Sequence, residues 1–135
     1  MEMSPFPELT LAAADNLRRL VPDGSHMQNM ATYINDACGN YRRAVDSNSN
    51  AIRADDKYFV SGGVASVIFT AYRAHNIRAI AYAAMMAGQS TNALYAARHL
   101  PEVFTPEILS VPTPPMVEWT EWQLVTLPHV LIHFG

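Results

Sequence analysis

Four of the five histidines, His26, His75, His129 and His133, are the side chains in this sequence best suited to metal or acid–base chemistry. His129 and His133 stand one helical turn apart and could share an ion, but the glutamate of the zinc-hydrolase helix is absent. The other two lie far away in sequence, and no spacing makes a compact ligand set, so no metal is expected. Nothing resembles a nucleophile elbow, a phosphate loop or a dinucleotide fingerprint, and neither a catalytic residue nor a cofactor is assigned. Cys38 is the lone cysteine. It cannot form an internal disulfide, which suits a reducing compartment, and with no basic neighbour to activate its thiol it is expected in the core. Asn48 interrupts an apolar stripe and reads as a buried hydrogen-bonding residue between helices. His75 and Asn76 read as a structural pair that binds the long 57–70 connection. Met85, Met86 and Met116 read as packing residues that fill gaps.

These residues sit in a chain that is half hydrophobic and only 16% charged. That composition excludes disorder and hints at apolar surface covered beyond the monomer. A net charge of −3 with scattered basic residues gives no electrostatic case for nucleic acid. The opening MEMSPFPE is acidic and proline-broken, unlike a signal peptide, and the most apolar run, AIAYAAMMAG, is too short to cross a bilayer. The expectation is a single domain over 1–135, cytoplasmic, with no membrane partner.

Helical spacing dominates the chain. In PELTLAAADNLRRLV, Leu9, Ala12, Ala13, Leu17, Leu20 and Val21 fall at helical spacing, with Pro7 and Glu8 suited to the start and Arg18 and Arg19 to the end. Pro22 stops that helix, and Ser25 is placed to cap the next, which runs to about Cys38 and ends at Gly39. Tyr41, Ala44, Val45, Asn48, Ala51 and Ile52 define a third helix. KYFVSGGVAS reads as a connection. A long helix begins at Val67 or Ala71 and stops at Gly88. Another covers Thr91 to Leu100. TPEILSVPTPP reads as linker, and a last helix spans Val117 to Phe134 with a kink or split at Pro128. VASVIFTAY could form a strand, but no second strand exists to pair with it.

Glycine, alanine and histidine recur in one register. Gly39 and Gly88 lie 49 residues apart, and Gly88 and Gly135 lie 47 apart. Ala44 and Ala93 each follow their glycine by five residues, and His26 and His75 each precede it by thirteen. With Gly39-x-Tyr41-x-x-Ala44 and Gly88-x-Ser90-x-x-Ala93, the chain resembles the tetratricopeptide-repeat proteins. The resemblance extends to a bacterial group with long inter-repeat loops through AVDSNSNAIRADDKYF and AHNIRAIAYAAMMAGQSTNALYAARHL. It covers residues 7–100 and, more weakly, 120–135.

The resemblance implies an all-α fold of antiparallel helix-turn-helix pairs, stacked as a short right-handed solenoid. Residues 7–22 would be an orphan B-helix, 25–56 the first full repeat and 71–100 the second. Residues 101–116 would be a proline-rich linker and 117–135 an incomplete third repeat. It implies a scaffold whose A-helices line a concave groove for a peptide or protein segment. Groove positions would be His26, Asn29, Tyr33 and Asp36, then His75, Arg78, Tyr82 and Met85, then Trp122, Val125, His129 and His133. The alternative is a small-molecule binder or enzyme that uses the His26/His75/Tyr82 face. Where the group tends to carry further histidines, this chain has Asn29 and Tyr33, which speaks against a metal or catalytic role. Trp119, Trp122, Leu127, Leu131 and Phe134 leave the last helix almost no polar face, so a two-fold homodimer through them is expected.

Overall fold

In the computed structural model, the described residues are 5–64, 66–106, 110 and 125–134. Among them the secondary structure is entirely helical. A 3-10 turn, Pro7–Thr10, leads into α1 (Leu11–Leu20), followed by α2 (Ser25–Ala37), α3 (Tyr41–Val60), α4 (Val67–Met86) and α5 (Ser90–His99). A second 3-10 turn, Leu100–Val103, follows α5, and α6 covers Thr126–Phe134. Each of α1 to α5 packs on the helix that follows it in the chain, and α6 lies against both α5 and α4. α2 also touches α4 directly.

The turns after α2 and α4 are built alike. Gly39 and Gly88 have φ of 70° and 69°, the left-handed region that an L side chain enters only with strain. In the first turn the amide of Asn40 reaches the carbonyl of Asn35 at 2.7 Å and that of Gly39 reaches Asp36 at 3.0 Å. In the second, Gln89 reaches Ala84 at 2.8 Å and Gly88 reaches Met85 at 3.1 Å. This paired closure satisfies carbonyls that the helix end would otherwise leave open. The next helix then turns back, and Ala44 and Ala93, five residues after each glycine, are fully buried.

Small side chains dominate the core. Ala44, Ala74, Ala81, Ala84, Ala93 and Ala97 are fully buried, with Val45, Ile77, Leu100, Phe104 and Val130 filling the larger spaces. Alanine at a crossing lets two helix backbones approach closely, since interaxial distance follows the size of the contact residues. A smaller cluster joins α1 to α2 through Ala14, Ala31 and Ile34, with Cys38 packed against it.

Two polar seams cross this apolar interior. Asn29 Nδ2 donates to Asn48 Oδ1 at 2.7 Å, and Asn48 Nδ2 donates to Thr32 Oγ1 at 2.8 Å and to the Ala44 carbonyl at 3.0 Å. All three side chains are buried, so Asn48 is the interhelical residue that its place in the apolar stripe suggests. The second seam ties three helices together. Asn76 Nδ2 on α4 donates to Ser25 Oγ on α2 at 2.9 Å and to Asp55 Oδ2 on α3 at 3.2 Å. Ser25 is therefore spent on a tertiary contact and does not cap α2; Gly24 occupies the N-cap without a side-chain bond.

The α3–α4 connection is shorter than the sequence suggests. α3 continues through KYFV to Val60, and α4 begins at Val67 with the Ser66 hydroxyl accepting from the Phe69 amide at 3.1 Å. Aromatic packing accounts for the extension. The Phe69 ring lies 4.8 Å from Tyr58 and 4.9 Å from Phe59, with the Arg73 guanidinium 5.8 Å from the centre of the Phe59 ring. These contacts offset the exposure of the final turn of α3. In α6, Pro128 falls in the first turn, where its missing N–H removes no helical bond, and it does not interrupt Thr126–Phe134. The expected helix over 117–124, with Trp119 and Trp122, lies outside the described residues.

Candidate functional site

One face of α2, one face of α4 and the start of α6 enclose a half-open cavity of about 430 Å³. From α2 come Asn29, Thr32, Tyr33 and Asp36, spaced so that a single helix face presents them. From α4 come His75, Arg78, Ala79, Tyr82 and Met85. Thr126 and His129 close it from α6. Thus Asn29, Tyr33, His75, Arg78, Tyr82 and His129, proposed from the sequence as groove residues, line one space, together with Asp36 and Met85.

His26 does not line it. It lies on the exposed part of α2, its ring 4.9 Å from that of Tyr72. Val125 and His133 are also outside the cavity wall; His133 packs edge-on against Phe134 at 4.6 Å. Thr126 takes the place expected for Val125. Thr32, Ala79 and Thr126 were not anticipated from the sequence. Their signal was present: each lies three or four residues from a chosen position, on the same helix face.

The cavity wall mixes titratable groups of opposite kind. In its wall the Tyr33 hydroxyl and His75 Nε2 are 2.6 Å apart, and their rings stack with centroids 6.0 Å apart. Burial pushes His75 down to about 4, with the charges of Arg78 and His26 adding to the effect, so its imidazole is neutral near pH 7. A neutral ring can accept the Tyr33 hydroxyl proton's hydrogen bond at Nε2. At the C-terminal end of α2, burial pushes the Asp36 carboxyl up to about 7. Its Oδ1 is buried and has no hydrogen-bond partner among the described residues. Tyr82 is raised as well, by burial and then by the proximity of Tyr41 and Asp36. Asn29 Oδ1 and Thr126 Oγ1 are likewise buried without a partner.

His75 and Asn76 were expected to act together on the 57–70 connection. They point instead to different neighbours, His75 to Tyr33 across the cavity and Asn76 to Ser25 and Asp55 in the core. Among the described residues no group of three or more histidine, cysteine or acidic side chains could hold a metal ion. None of their helices is long and apolar enough to cross a membrane.

The opposite face of α4 borders a larger hollow of about 820 Å³, with Ile77 and Ile80 facing Val45 and Ile52 of α3 and Tyr95 and His99 of α5. Its rim includes Val103 and Thr105. Its wall also carries the polar side chains Arg73, Asn92, His99 and Glu102. Most of the side chains that the sequence placed in the groove line the smaller cavity instead.

On α6, Leu127 and Phe134 pack against the chain's own core around Val130. Leu131 and Ile132 face outward, at 47% and 81% exposure. Comparison of the chain with family models, curated proteins and solved structures gives no match.

Proposed function

We propose that the chain is a tetratricopeptide-like binding module whose α2, α4 and α6 serve as A-helices and whose shared face receives a peptide or protein segment. The observation that carries this reading is the convergence of side chains from all three helices on one cavity. Its volume lies within the range of about 300–1,000 Å³ usual for ligand sites, and polar groups interrupt a wall of aromatic and apolar ones, as recognition requires. The equivalent glycine turns and the buried Ala44 and Ala93 support the repeat reading. A homodimer belongs to the same proposal, with Leu131 and Ile132 of α6 as its exposed apolar contribution.

Ala79 supplies the test. It lines the cavity without joining either polar seam, so Ala79→Trp fills the space. Peptides selected from a random library on the wild-type chain should lose at least tenfold in affinity on Ala79→Trp, with the helical circular-dichroism signal retained. Selection of no peptide, or of peptides indifferent to the filled cavity, overturns the reading.

A second reading, small-molecule binding at the His26/His75/Tyr82 face, draws on the opposed shifts of His75 and Asp36. Perturbed titratable groups cluster at functional sites. His75 and Tyr82 share the cavity and His26 lies outside its wall, which suits binding better than an acid–base mechanism by that trio.

A further inference from the structure

We infer that the cleft between α1 and α3 is a second docking surface, which takes an acidic polypeptide segment in extended form. It shares no lining residue with the α2/α4/α6 cavity and does not depend on that cavity's role. The chain carries a net charge of −3, yet five of its nine basic side chains gather here. They line two adjoining hollows of about 380 and 360 Å³ that have Arg18 and Asn50 in common. Arg18 and Arg19 come from α1; Arg43, Arg53 and Lys57 come from α3. Three carboxyl groups accompany them, Asp15, Asp46 and Asp23, so the cleft is positive on balance. Salt at about 0.1 M screens charges beyond ~10 Å, so an anion in the cleft responds to these groups and not to the acidic remainder of the chain.

The cations converge in space. Arg18 Nη1 is 2.6 Å from Asp15 Oδ1, and Arg43 Nη2 reaches the same oxygen from α3. One carboxylate oxygen is thus divided between two guanidinium groups. Arg18 Nε also donates to Ser47 Oγ at 2.6 Å, which fixes the group between the two helices. Arg19 donates to the Asp15 carbonyl and Asn16 Oδ1, and Arg53 donates to Asn50 Oδ1, all neutral acceptors. Lys57 pairs with Asp23, but the two side chains are 66% and 68% exposed. Such a pair is weak and readily exchanged for another anion.

Shape selects the partner. Along α3, Arg43, Ser47, Asn50, Arg53 and Lys57 recur three or four residues apart and so follow one face. From Arg43 to Lys57 that face runs about 21 Å at ~1.5 Å per residue. An extended segment of about six or seven residues spans the same length. Arginine's planar fork matches a carboxylate with two parallel hydrogen bonds. Single-stranded nucleic acid sites add rings on which bases stack, and among the described residues no aromatic side chain lines either hollow.

The test is the fluorescence anisotropy of a labelled, end-capped heptaglutamate peptide mixed with the full chain. Heptalysine and an oligothymidylate of equal charge serve as controls. Heptaglutamate should bind at low salt and weaken steeply as salt is added, and heptalysine should not bind. Arg43→Glu combined with Lys57→Glu should weaken heptaglutamate binding about tenfold. Asp46→Asn should tighten it about twofold, a gain that damage to the fold would not produce. Ala79→Trp should leave it unchanged, since Ala79 lines the other cavity. Absence of binding at low salt, equal binding of heptalysine, indifference to either charge change, or loss on Ala79→Trp overturns the proposal. Tighter binding of the oligothymidylate overturns it in favour of a nucleic acid.

Discussion

Asp36 and His75 make opposite demands on the folded state. The carboxyl titrates at about 7 in the fold against an ordinary 3.8, so the native state holds a proton that the unfolded chain releases. Its contribution to stability is complete at low pH and is lost as pH rises towards 7. The imidazole titrates at about 4 against an ordinary 6.5, so its contribution is present above 6.5 and lost as pH falls towards 4. Between these limits the two slopes oppose one another. Relative to wild type, Asp36→Asn should gain stability progressively from pH 4 to 7 and level off above. His75→Gln should show the reverse trend from pH 4 to 6.5. Urea denaturation at a series of pH values measures both differences; parallel curves for wild type and Asp36→Asn would show that the carboxyl titrates normally. The position of Asp36 was legible in the sequence as a place on a helix face. Its desolvation was not, because how far a side chain is withdrawn from water depends on how the helices pack.

At the scale of helices, the two glycine turns invite a paired measurement. A Cβ at Gly39 or Gly88 would meet no atom within 4 Å, so the strain of replacing either comes from backbone conformation alone. Gly39→Ala and Gly88→Ala should each destabilise the chain by about 1–2 kcal/mol, and by similar amounts if the turns are equivalent. Ala93→Leu acts by another route. It places three extra carbons into a fully buried crossing and should cost about 1–3 kcal/mol through overpacking. An unchanged urea midpoint for Ala93→Leu would mean that α4 and α5 can separate freely. These turns and crossings were readable because glycine at a left-handed turn and alanine at a crossing are set by local sterics. The end of α3 was not. Gly62 and Gly63 mark a break, but the helix runs up to it because Tyr58, Phe59 and Phe69 meet, and Phe69 is ten residues further along the chain. Ser25 misled for the same reason: a good capping residue found partners in α3 and α4.

For the whole molecule, α6 presents an exposed apolar edge. Its inner side chains, Leu127, Val130 and Phe134, are held by α4 and α5, and Leu131 and Ile132 are left facing out. A dimer through this surface should appear in light scattering as a mass near twice 14.9 kDa that falls on dilution. Ile132→Lys should hold the chain at the monomer mass without loss of helical signal. A mass of 14.9 kDa at all concentrations would remove the dimer.

Asn29 faces two ways. Its amide nitrogen is committed to Asn48 in the seam between α2 and α3, and its carbonyl oxygen belongs to the cavity wall. An occupant that engaged the oxygen would hold the side chain from both ends. The effect would reach beyond the binding face: local opening of the α2–α3 pair would become rarer, and amide hydrogens in the middle of α3, around Asn48, would exchange more slowly with solvent although no ligand atom lay near them.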